Sequence, residues 1–202
     1  MEKPTLYVSF DVETDGQCPL VNNMLSLGIY FLDKDCNRIF TYNTNFELME
    51  NHTDDQKTME FWSHNREMYE LTRVNQQPII QSMYELSEIL ANMSLDYKLH
   101  FVAMPACFDW MFLKCYYEYA KKIDRRITFD IGFKCHCFSS AFNQYTLSNN
   151  MSGKDKEKLL NSFCTVDSYR EHNALYDAQV QGIRYVKFLL YANVIQLDPV
   201  LL

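Results

Sequence analysis

The stretch TLYVSFDVETDG, residues 5–16, is an alternating apolar run that ends in three carboxylates and a glycine. Two interpretations compete for its acidic half. Asp11, Glu13 and Asp15 occupy alternate positions before a glycine, as the oxygen ligands at the start of a helix-loop-helix calcium loop do. Alternatively, the first two carboxylates lie at the end of a β-strand and hold a metal there, while Asp15 and Gly16 form a turn.

The surrounding sequence excludes the calcium loop. Such a loop follows a helix and needs a bidentate glutamate at its twelfth position, whereas a strand-like run precedes this one and the twelfth position is Asn22. Pro19 also falls within the loop. In a strand, residues i and i+2 point to the same face, so Asp11 and Glu13 project together and repel each other unless a cation lies between them. Taken alone, such a pair is often only a solvated turn.

Length and composition indicate a single globular domain over residues 1–202. The chain contains 48% hydrophobic and 15% aromatic residues with only five glycines and five prolines, which is not the composition of a disordered protein. No apolar run approaches the roughly 18 residues needed to span a bilayer, and the N-terminus shows no secretion signal. We therefore expect an intracellular, cytoplasmic protein with no membrane partner.

Cysteine content and charge narrow the class of protein further. Seven cysteines without a CxxC pair favour reduced thiols over a disulfide framework, and the CHC tripeptide at 135–137 lacks the second ligand pair of a zinc site. The net charge of −7 argues against a protein that coats nucleic acid by bulk electrostatics. It allows an enzyme that binds a few nucleotides and holds divalent cations in an acidic pocket.

Hydrophobic periodicity predicts an α/β protein with a mixed sheet. Strands are expected over Thr5–Phe10, Met24–Leu32, Arg38–Leu48, Lys98–Ala103 and Arg126–Phe133. Helices are expected over Thr58–Tyr69, from Pro78 to about Met93, over Phe108–Lys121, in segments up to Phe163, and over Ala174–Tyr191. The first three strands form an antiparallel meander and parallel strands follow, flanked by helices. A ribonuclease-H-like arrangement fits this order, and from periodicity alone several other α/β folds fit nearly as well.

Three further residues extend the acidic pair. Asp109 follows a buried-looking strand at the start of an apolar helix, where a carboxylate also suits the helix dipole. In EHNALYDA, residues 171–178, His172 precedes Asp177 by five positions, and the neighbours of Asp177 are apolar. The alternative for Asp177 is a satisfied buried carboxylate, and for His172 a loop residue with no chemical role.

Together these residues resemble the DEDD family of 3′→5′ exonucleases, and its DEDDh branch in particular. The three motifs read FDVETDG, CFDWMFL and HNALYDA, and their order and separations match the family over nearly the whole chain. A tyrosine-type third motif would need tyrosine where this chain has Asn173, so the histidine branch is the match. The second motif often carries asparagine five residues before its aspartate, and this chain has Met104 there.

A shorter resemblance concerns the substrate. The segment DDQKTMEFW, residues 54–62, is similar to a region of the bacterial and phage exoribonucleases related to the mycobacterial enzyme. This similarity implies a single-stranded or 3′-overhanging nucleic acid as the substrate, with RNA favoured over DNA. Small enzymes of this type are often homodimers, so the resemblance also implies a homodimer.

The family resemblance implies a phosphodiesterase that uses two Mg²⁺ or Mn²⁺ ions. It assigns Asp11 as the ligand that bridges both ions. Glu13 and Asp177 hold the first ion, and Asp109 holds the second. His172 accepts the proton of the attacking water, because histidine exchanges protons near neutral pH.

Aromatic residues and main-chain amides are expected to hold the 3′ end. The candidates for stacking on bases are Phe61, Trp62, Phe108 and Trp110, although core packing explains each of them as well. The resemblance implies that the amides of Thr14 and Asp15 contact the terminal nucleotide. The alternatives are an exonuclease that acts chiefly on DNA, and a non-catalytic nucleic-acid- or protein-binding module on the same fold. A decayed enzyme would have lost one of the five motif residues, and none is lost.

Overall fold

One sheet contains all the strands of the part of the chain that the structure describes. A computed structural model describes residues 2–193. Its strands are β1 (Thr5–Thr14), β2 (Met24–Leu32), β3 (Arg38–Phe46), β4 (Gln76–Gln77), β5 (Lys98–Ala103) and β6 (His136–Cys137). Their spatial order is β4-β3-β2-β1-β5-β6. β1, β2 and β3 pair antiparallel, whereas β4, β5 and β6 each run parallel to a neighbour. The predicted mixed sheet with an antiparallel meander is confirmed.

Helices cover both faces of this sheet. They are α1 (Gln56–His64), α2 (Arg66–Thr72), α3 (Ile79–Asp96), α4 (Ala106–Ile123), α5 (Phe138–Ser148), α6 (Gly153–Phe163) and α7 (Ala174–Tyr191). Even-numbered β1 residues such as Leu6 and Phe10 share a core with α3 and α4. Tyr7, at an odd position, belongs to a second core with α5, α6 and α7. The odd-numbered residues of β1 therefore face α7, because side chains alternate along a strand. No helix within residues 2–193 is long and apolar enough to cross a bilayer.

Several predicted elements have the expected bounds. The strands over Met24–Leu32 and Lys98–Ala103 and the helix over Ala174–Tyr191 are confirmed. β1 is longer than predicted, because it continues through the acidic residues to Thr14. The metal-binding interpretation of the opening stretch needs this extension, since only a strand places residues 11 and 13 on one face.

The single helix predicted over 58–69 is wrong, because the chain forms two helices there. Asp55 begins α1 as its N-cap, with its carboxylate accepting hydrogen bonds from the Thr58 amide and hydroxyl. α1 ends at His64, and Asn65 is its C-cap. The Asn65 side-chain amide donates to the Phe61 carbonyl. The backbone of Asn65 leaves helical geometry, and α2 starts at the next residue. The hydrophobic pattern continues across Asn65, but the helix does not, because Asn65 caps both α1 and α2.

The strand predicted over 126–133 is also wrong. Ile127 and Ile131 are buried in the core formed with α3 and α4, and the chain around them is irregular. The Phe129 amide donates to the Ser87 hydroxyl, and the Phe129 carbonyl accepts a hydrogen bond from Tyr117. The alternating apolar residues thus pack on helices and do not join a β-ladder. The two-residue strand β6 takes the place beside β5.

The start of α7 approaches β2 so closely that position 28 requires glycine. A Cβ atom on Gly28 would overlap the backbone nitrogen of Leu175 and the carbonyl carbon of Ala174. Gly182 makes a similar approach, since a Cβ atom there would lie 2.8 Å from the Ser9 Cβ. Gly28 pairs with Asp11 across the sheet. This contact therefore sets the first turn of α7 against the acidic end of β1.

We expect Gly28→Ala to lower the free energy of unfolding by about 1–3 kcal/mol, because an added methyl group must displace backbone. Urea denaturation of the variant and the parent protein measures the difference. The matched control is Gly153→Ala, because a Cβ atom at Gly153 meets nothing within 4 Å. Equal stabilities of the two variants would show that the approach of α7 to β2 tolerates a side chain.

Candidate active site

The acidic end of β1 supplies two carboxylates to one side of the sheet. Asp11 and Glu13 pair with Gly28 and Ser26 of β2, so small residues lie beside both of them. Glu13 is buried, with 9% of its surface exposed. Both side chains point towards α7, as their odd positions in the strand require.

Asp109 reaches β1 from the first turn of α4. The pairing of β1 with β5 ends at Ser9 and Val102, and beyond that point the Val12 amide donates to Asp109 Oδ1 at 3.3 Å. The side chain is buried, and its second oxygen, Oδ2, has no hydrogen-bond partner among the described residues. A buried carboxylate oxygen without a donor is costly unless a cation or its bound water contacts it.

Asp177 and His172 enter the site from the N-terminus of α7. Asn173 caps the helix by accepting a hydrogen bond from the Tyr176 amide at 3.1 Å. The His172 amide donates to Asp177 Oδ2 at 2.7 Å. The backbone of His172 has φ = 65°, a left-handed conformation that few residues other than glycine adopt. The helix cap and the carboxylate together hold the histidine in this conformation.

The four aspartate and glutamate side chains come together at one point. Ligand atoms of Glu13, His172 and Asp177 all lie within 4.8 Å of one another. Burial raises the pKa of Asp11 well above its ordinary value, and the nearby charges of Asp109, Glu13 and Asp177 raise it further. The pKa of Glu13 is raised for the same reasons, by burial and then by Asp177 and Asp109. The carboxylates therefore interact with one another as a cluster.

The remaining two acids also have raised pKa values. Burial raises the pKa of Asp109 to about 7, although the Val12 amide favours the charged form. Burial raises the pKa of Asp177 to about 6, against the hydrogen bond from the His172 amide. Buried carboxylates that repel one another, with one unpartnered oxygen, fit hard divalent cations, which prefer oxygen ligands. We conclude that the residues of this cluster suit a divalent metal centre.

Two aromatic residues of α1 lie against the His172 ring. Phe61 meets it edge-on, with ring centroids 4.8 Å apart, and 39% of Phe61 is exposed. Trp62 is only 2% exposed, and its indole N–H donates to the Thr14 carbonyl at 2.8 Å. The Trp62 ring is thus enclosed and its donor is used within the protein, and its predicted contact with substrate stays a prediction. Phe61 is the residue of this pair with a free surface.

The turn after β1 is occupied by internal hydrogen bonds. The Asp15 amide donates to the Asn23 carbonyl at 3.0 Å. The Asp15 carboxylate accepts hydrogen bonds from the Asn23 amide and side chain. The Asp15 amide is thus already paired within the protein, and its predicted contact with a nucleotide stays a prediction. The contact of the Thr14 amide stays a prediction.

Phe108 lies one residue before Asp109 on α4. Its ring packs against Phe112, with centroids 5.2 Å apart, and it is half-buried against the larger core. Its predicted contact with a base stays a prediction. The Cys135 and Cys137 thiols are not part of the group of potential metal ligands that Glu13, His172 and Asp177 form.

A cavity of about 290 Å³ opens beside the carboxylates. It is lined by Asp11, Met104, Val166, Glu171, His172, Asp177, Val180, Gln181 and Arg184. The sequence interpretation overlooked Gln181 and Arg184. Helical spacing from Asp177 could have identified them, because residues four and seven positions later lie on the same helix face.

Comparisons with known proteins show what the chain resembles in shape. No family model matches it, and a search of curated proteins finds no match. Among solved structures, the nuclease domain of 3′hExo, described as a DEDDh family member bound to rAMP, aligns with a TM-score of 0.62 at 12% identity over 96% of both chains. The chain has the fold of 3′-exonucleases.

Two more structures with the exonuclease fold align over most of the chain. The zinc-bound E. coli ExoI–ssDNA complex has a TM-score of 0.64 at 11% identity, over 94% of this chain and 42% of the other. S. pombe Pop2p in its Mg²⁺- and Mn²⁺-bound form has a TM-score of 0.55 at 12% identity, over 97% and 86%. The predicted ribonuclease-H-like fold is confirmed.

We expect Asp109→Asn to stabilise the protein when divalent cations are absent. A carboxyl group with a raised pKa stabilises the fold while it is protonated, and this contribution is lost as the pH rises through about 7. Asparagine stays neutral and keeps an acceptor for the Val12 amide. The gain in unfolding free energy should grow from near zero at pH 4 to roughly 2–4 kcal/mol at pH 8.

Denaturation in urea with EDTA across this pH range measures the gain. The control is Glu157→Gln on the exposed surface of α6, which should show no such trend. A loss of stability at pH 8 would show that the Asp109 charge supports the fold.

Proposed function

We propose that residues 1–202 form one DEDDh-type exonuclease domain that hydrolyses nucleic acid from its 3′ end in a metal-dependent reaction. The observation that carries this proposal is the convergence of Asp11, Glu13, Asp109 and Asp177 from β1, α4 and α7 into one partly buried cluster. These are the residues that the family resemblance assigns to metal binding. The fold shared with 3′-exonucleases supports the proposal.

In this proposal the cluster holds two divalent cations, Mg²⁺ or Mn²⁺. Asp11 would contribute to holding both ions, Glu13 and Asp177 would hold the first, and Asp109 would hold the second. When bound, two such ions stabilise the attacking and the leaving oxygens of an in-line displacement at phosphorus. The unpartnered Asp109 Oδ2 supports this assignment, because it is a buried ligand atom that no protein donor uses. The Mg²⁺ and Mn²⁺ bound to Pop2p are consistent with it.

His172 acts as the general base in the same proposal. Its ring lies beside the carboxylates of Glu13 and Asp177, where an attacking water would be held. The hydrogen bond from its amide to Asp177 and the edge contact with Phe61 fix its position. A positioned base that takes a proton during attack contributes about 10²–10⁴-fold in rate.

RNA is the proposed substrate, in single-stranded or 3′-overhanging form. The proposal rests on the similarity of residues 54–62 to the mycobacterial and phage-type exoribonucleases. In this structure Asp55 and Thr58 of that segment form the helix cap, and Trp62 supports the end of β1. The segment thus shapes the site from outside it.

The seven cysteines are all free, which supports a reducing, cytoplasmic location. The homodimer stays a prediction.

We expect Asp11→Ala to abolish turnover, with a loss of about 10³-fold or more, because removal of a shared ligand disrupts both ions. The test incubates 5′-labelled single-stranded RNA, single-stranded DNA and a 3′-overhang duplex with Mg²⁺, Mn²⁺ or EDTA. A metal-dependent ladder that shortens from the 3′ end, absent in the variant, is the expected result. Glu157→Ala, at an exposed position, is the control and should retain full activity.

The substrate that gives the fastest ladder decides between RNA and DNA. Intact label in every lane, with nucleic-acid binding still measurable, would replace the exonuclease by a non-catalytic binding module. Thermal unfolding of Asp11→Ala shows whether the variant is folded.

We expect His172→Ala to lower kcat by about 10²–10⁴-fold and to leave metal affinity nearly unchanged. The reason is that a general base acts on water, whereas a metal ligand contributes to cation binding. Mn²⁺ titration monitored by the rise in melting temperature measures metal affinity independently of turnover. If metal affinity falls together with kcat, His172 is a metal ligand, and its assignment as the base is wrong.

A further inference from the structure

Arg184 is a buried cation whose two recorded hydrogen bonds go to neutral groups, and the negative charge of Glu171, which lines the same cavity, also acts on it. It is 9% exposed, and its guanidinium donates through Nε to the Cys164 carbonyl at 3.0 Å and through Nη2 to Asn161 Oδ1 at 2.9 Å. Among residues 2–193, no carboxylate forms an ion pair with it within 4.0 Å. The structure records no hydrogen bond from Nη1 within the same range. The guanidinium therefore retains donors that no described protein group uses.

The helix geometry places Arg184 beside the active-site cavity. Arg184 follows Asp177 by two turns of α7, about 10.5 Å along the axis at 1.5 Å per residue. Side chains of a helix tilt towards its N-terminus, so the guanidinium reaches back in the direction of Asp177. Both residues line the cavity of about 290 Å³ that also contains Asp11 and His172. The cation and the carboxylate cluster thus share one space.

The burial of Arg184 favours an anionic ligand, and its Nη1 stays accessible to one. Removing a guanidinium from water is costly unless an anion or a full set of acceptors replaces the water. The hydrogen bonds to Asn161 and to the Cys164 carbonyl connect α7 to α6 and to the residue after it. A neutral donor could form the same two bonds, so they do not explain why the side chain is charged. A phosphate oxygen would place a negative charge within hydrogen-bond distance of the guanidinium. Arginine binds phosphate through two parallel N–H groups.

We propose that Arg184 binds the phosphate next to the scissile one in a nucleic-acid substrate, an inference that rests on the exonuclease function proposed above. In that function the carboxylate cluster and the ions it would hold would act on the scissile phosphate. Because an exonuclease of this polarity cuts the last phosphodiester, the neighbouring phosphate can only lie on its 5′ side. Arg184 is thus a substrate-binding residue for the second linkage from the 3′ end.

The first test compares Arg184→Gln with the parent protein on one oligonucleotide in two forms. In one form every linkage is a phosphodiester, and in the other the second linkage from the 3′ end is a neutral methylphosphonate. For the parent protein we expect the methylphosphonate to raise KM about 10- to 100-fold, with kcat changed less than about threefold, as expected for a lost charge-assisted hydrogen bond. Arg184→Gln should raise KM equally on the all-phosphodiester form and show no further rise with the methylphosphonate.

Independent effects of the variant and the methylphosphonate, which multiply when combined, would overturn the proposal. An unchanged KM for Arg184→Gln would also overturn it. Moving the methylphosphonate to the fourth linkage should have no Arg184-dependent effect. This comparison distinguishes one phosphate contact from a general attraction between a cation and a polyanion.

Asn161→Ala is the matched control for a structural role. It removes the acceptor of Nη2 but keeps the cation, so we expect lower thermal stability and an unchanged sensitivity to the methylphosphonate. If Asn161→Ala instead abolishes that sensitivity, Arg184 acts through the packing of α6 and α7. Arg184→Lys, which keeps the charge, should restore part of the affinity.

If Arg184→Gln does not fold, the parent protein alone still tests the proposal. The effect of the methylphosphonate position on its KM is measured without any variant. Parent protein that degrades both forms with equal KM would overturn the phosphate contact and leave the exonuclease function intact. Parent protein that degrades neither form and binds neither would overturn both proposals.

Discussion

The electrostatic repulsion among four carboxylates, of which Glu13 and Asp109 are buried and Asp11 and Asp177 half-buried, is the constraint on which the site depends. Burial and mutual charge raise the pKa values of Asp11 and Glu13, and burial raises those of Asp109 and Asp177. A cluster of this kind lowers the stability of the metal-free fold whenever its members ionise. The rest of the molecule must therefore hold the four side chains together without assistance from their own interactions. A bound cation reverses the sign of this effect, because the charges that oppose folding become ligands.

The scaffold meets this constraint with rigid elements. β1 is the central strand, buried on both faces, and it places two of the acids on one side. α4 brings the third to the Val12 amide, and α7 brings the fourth through its close approach to Gly28. Sites on strands and helix starts are held more exactly in position than sites on loops. The helix α7 also carries Arg184, so one element fixes both the anionic and the cationic part of the cavity.

Polar residues around the cluster act as supports for the strand end. The Trp62 indole donates a hydrogen bond to the Thr14 carbonyl. The Asp15 carboxylate accepts hydrogen bonds from the amide and side chain of Asn23. The Tyr116 hydroxyl accepts a hydrogen bond from the Met24 amide on the adjacent strand. Trp62 and Asp15, both predicted to contact substrate, thus form hydrogen bonds within the protein that support this strand end. The exposed aromatic beside His172 is Phe61, the immediate neighbour of Trp62.

The sequence by itself determined the strands of the meander, the last helix and the identity of the acidic residues. These features follow from local periodicity and from motif spacing, which are properties of neighbouring residues. Only the tertiary structure decided that Ile127 and Ile131 pack on helices, that Trp62 points inward, and that Arg184 lines the cavity. The physical reason is that the burial and partners of a side chain depend on elements distant in sequence. A period of two fits a strand and an irregular segment packed on helices equally well, and only the contacts distinguish them.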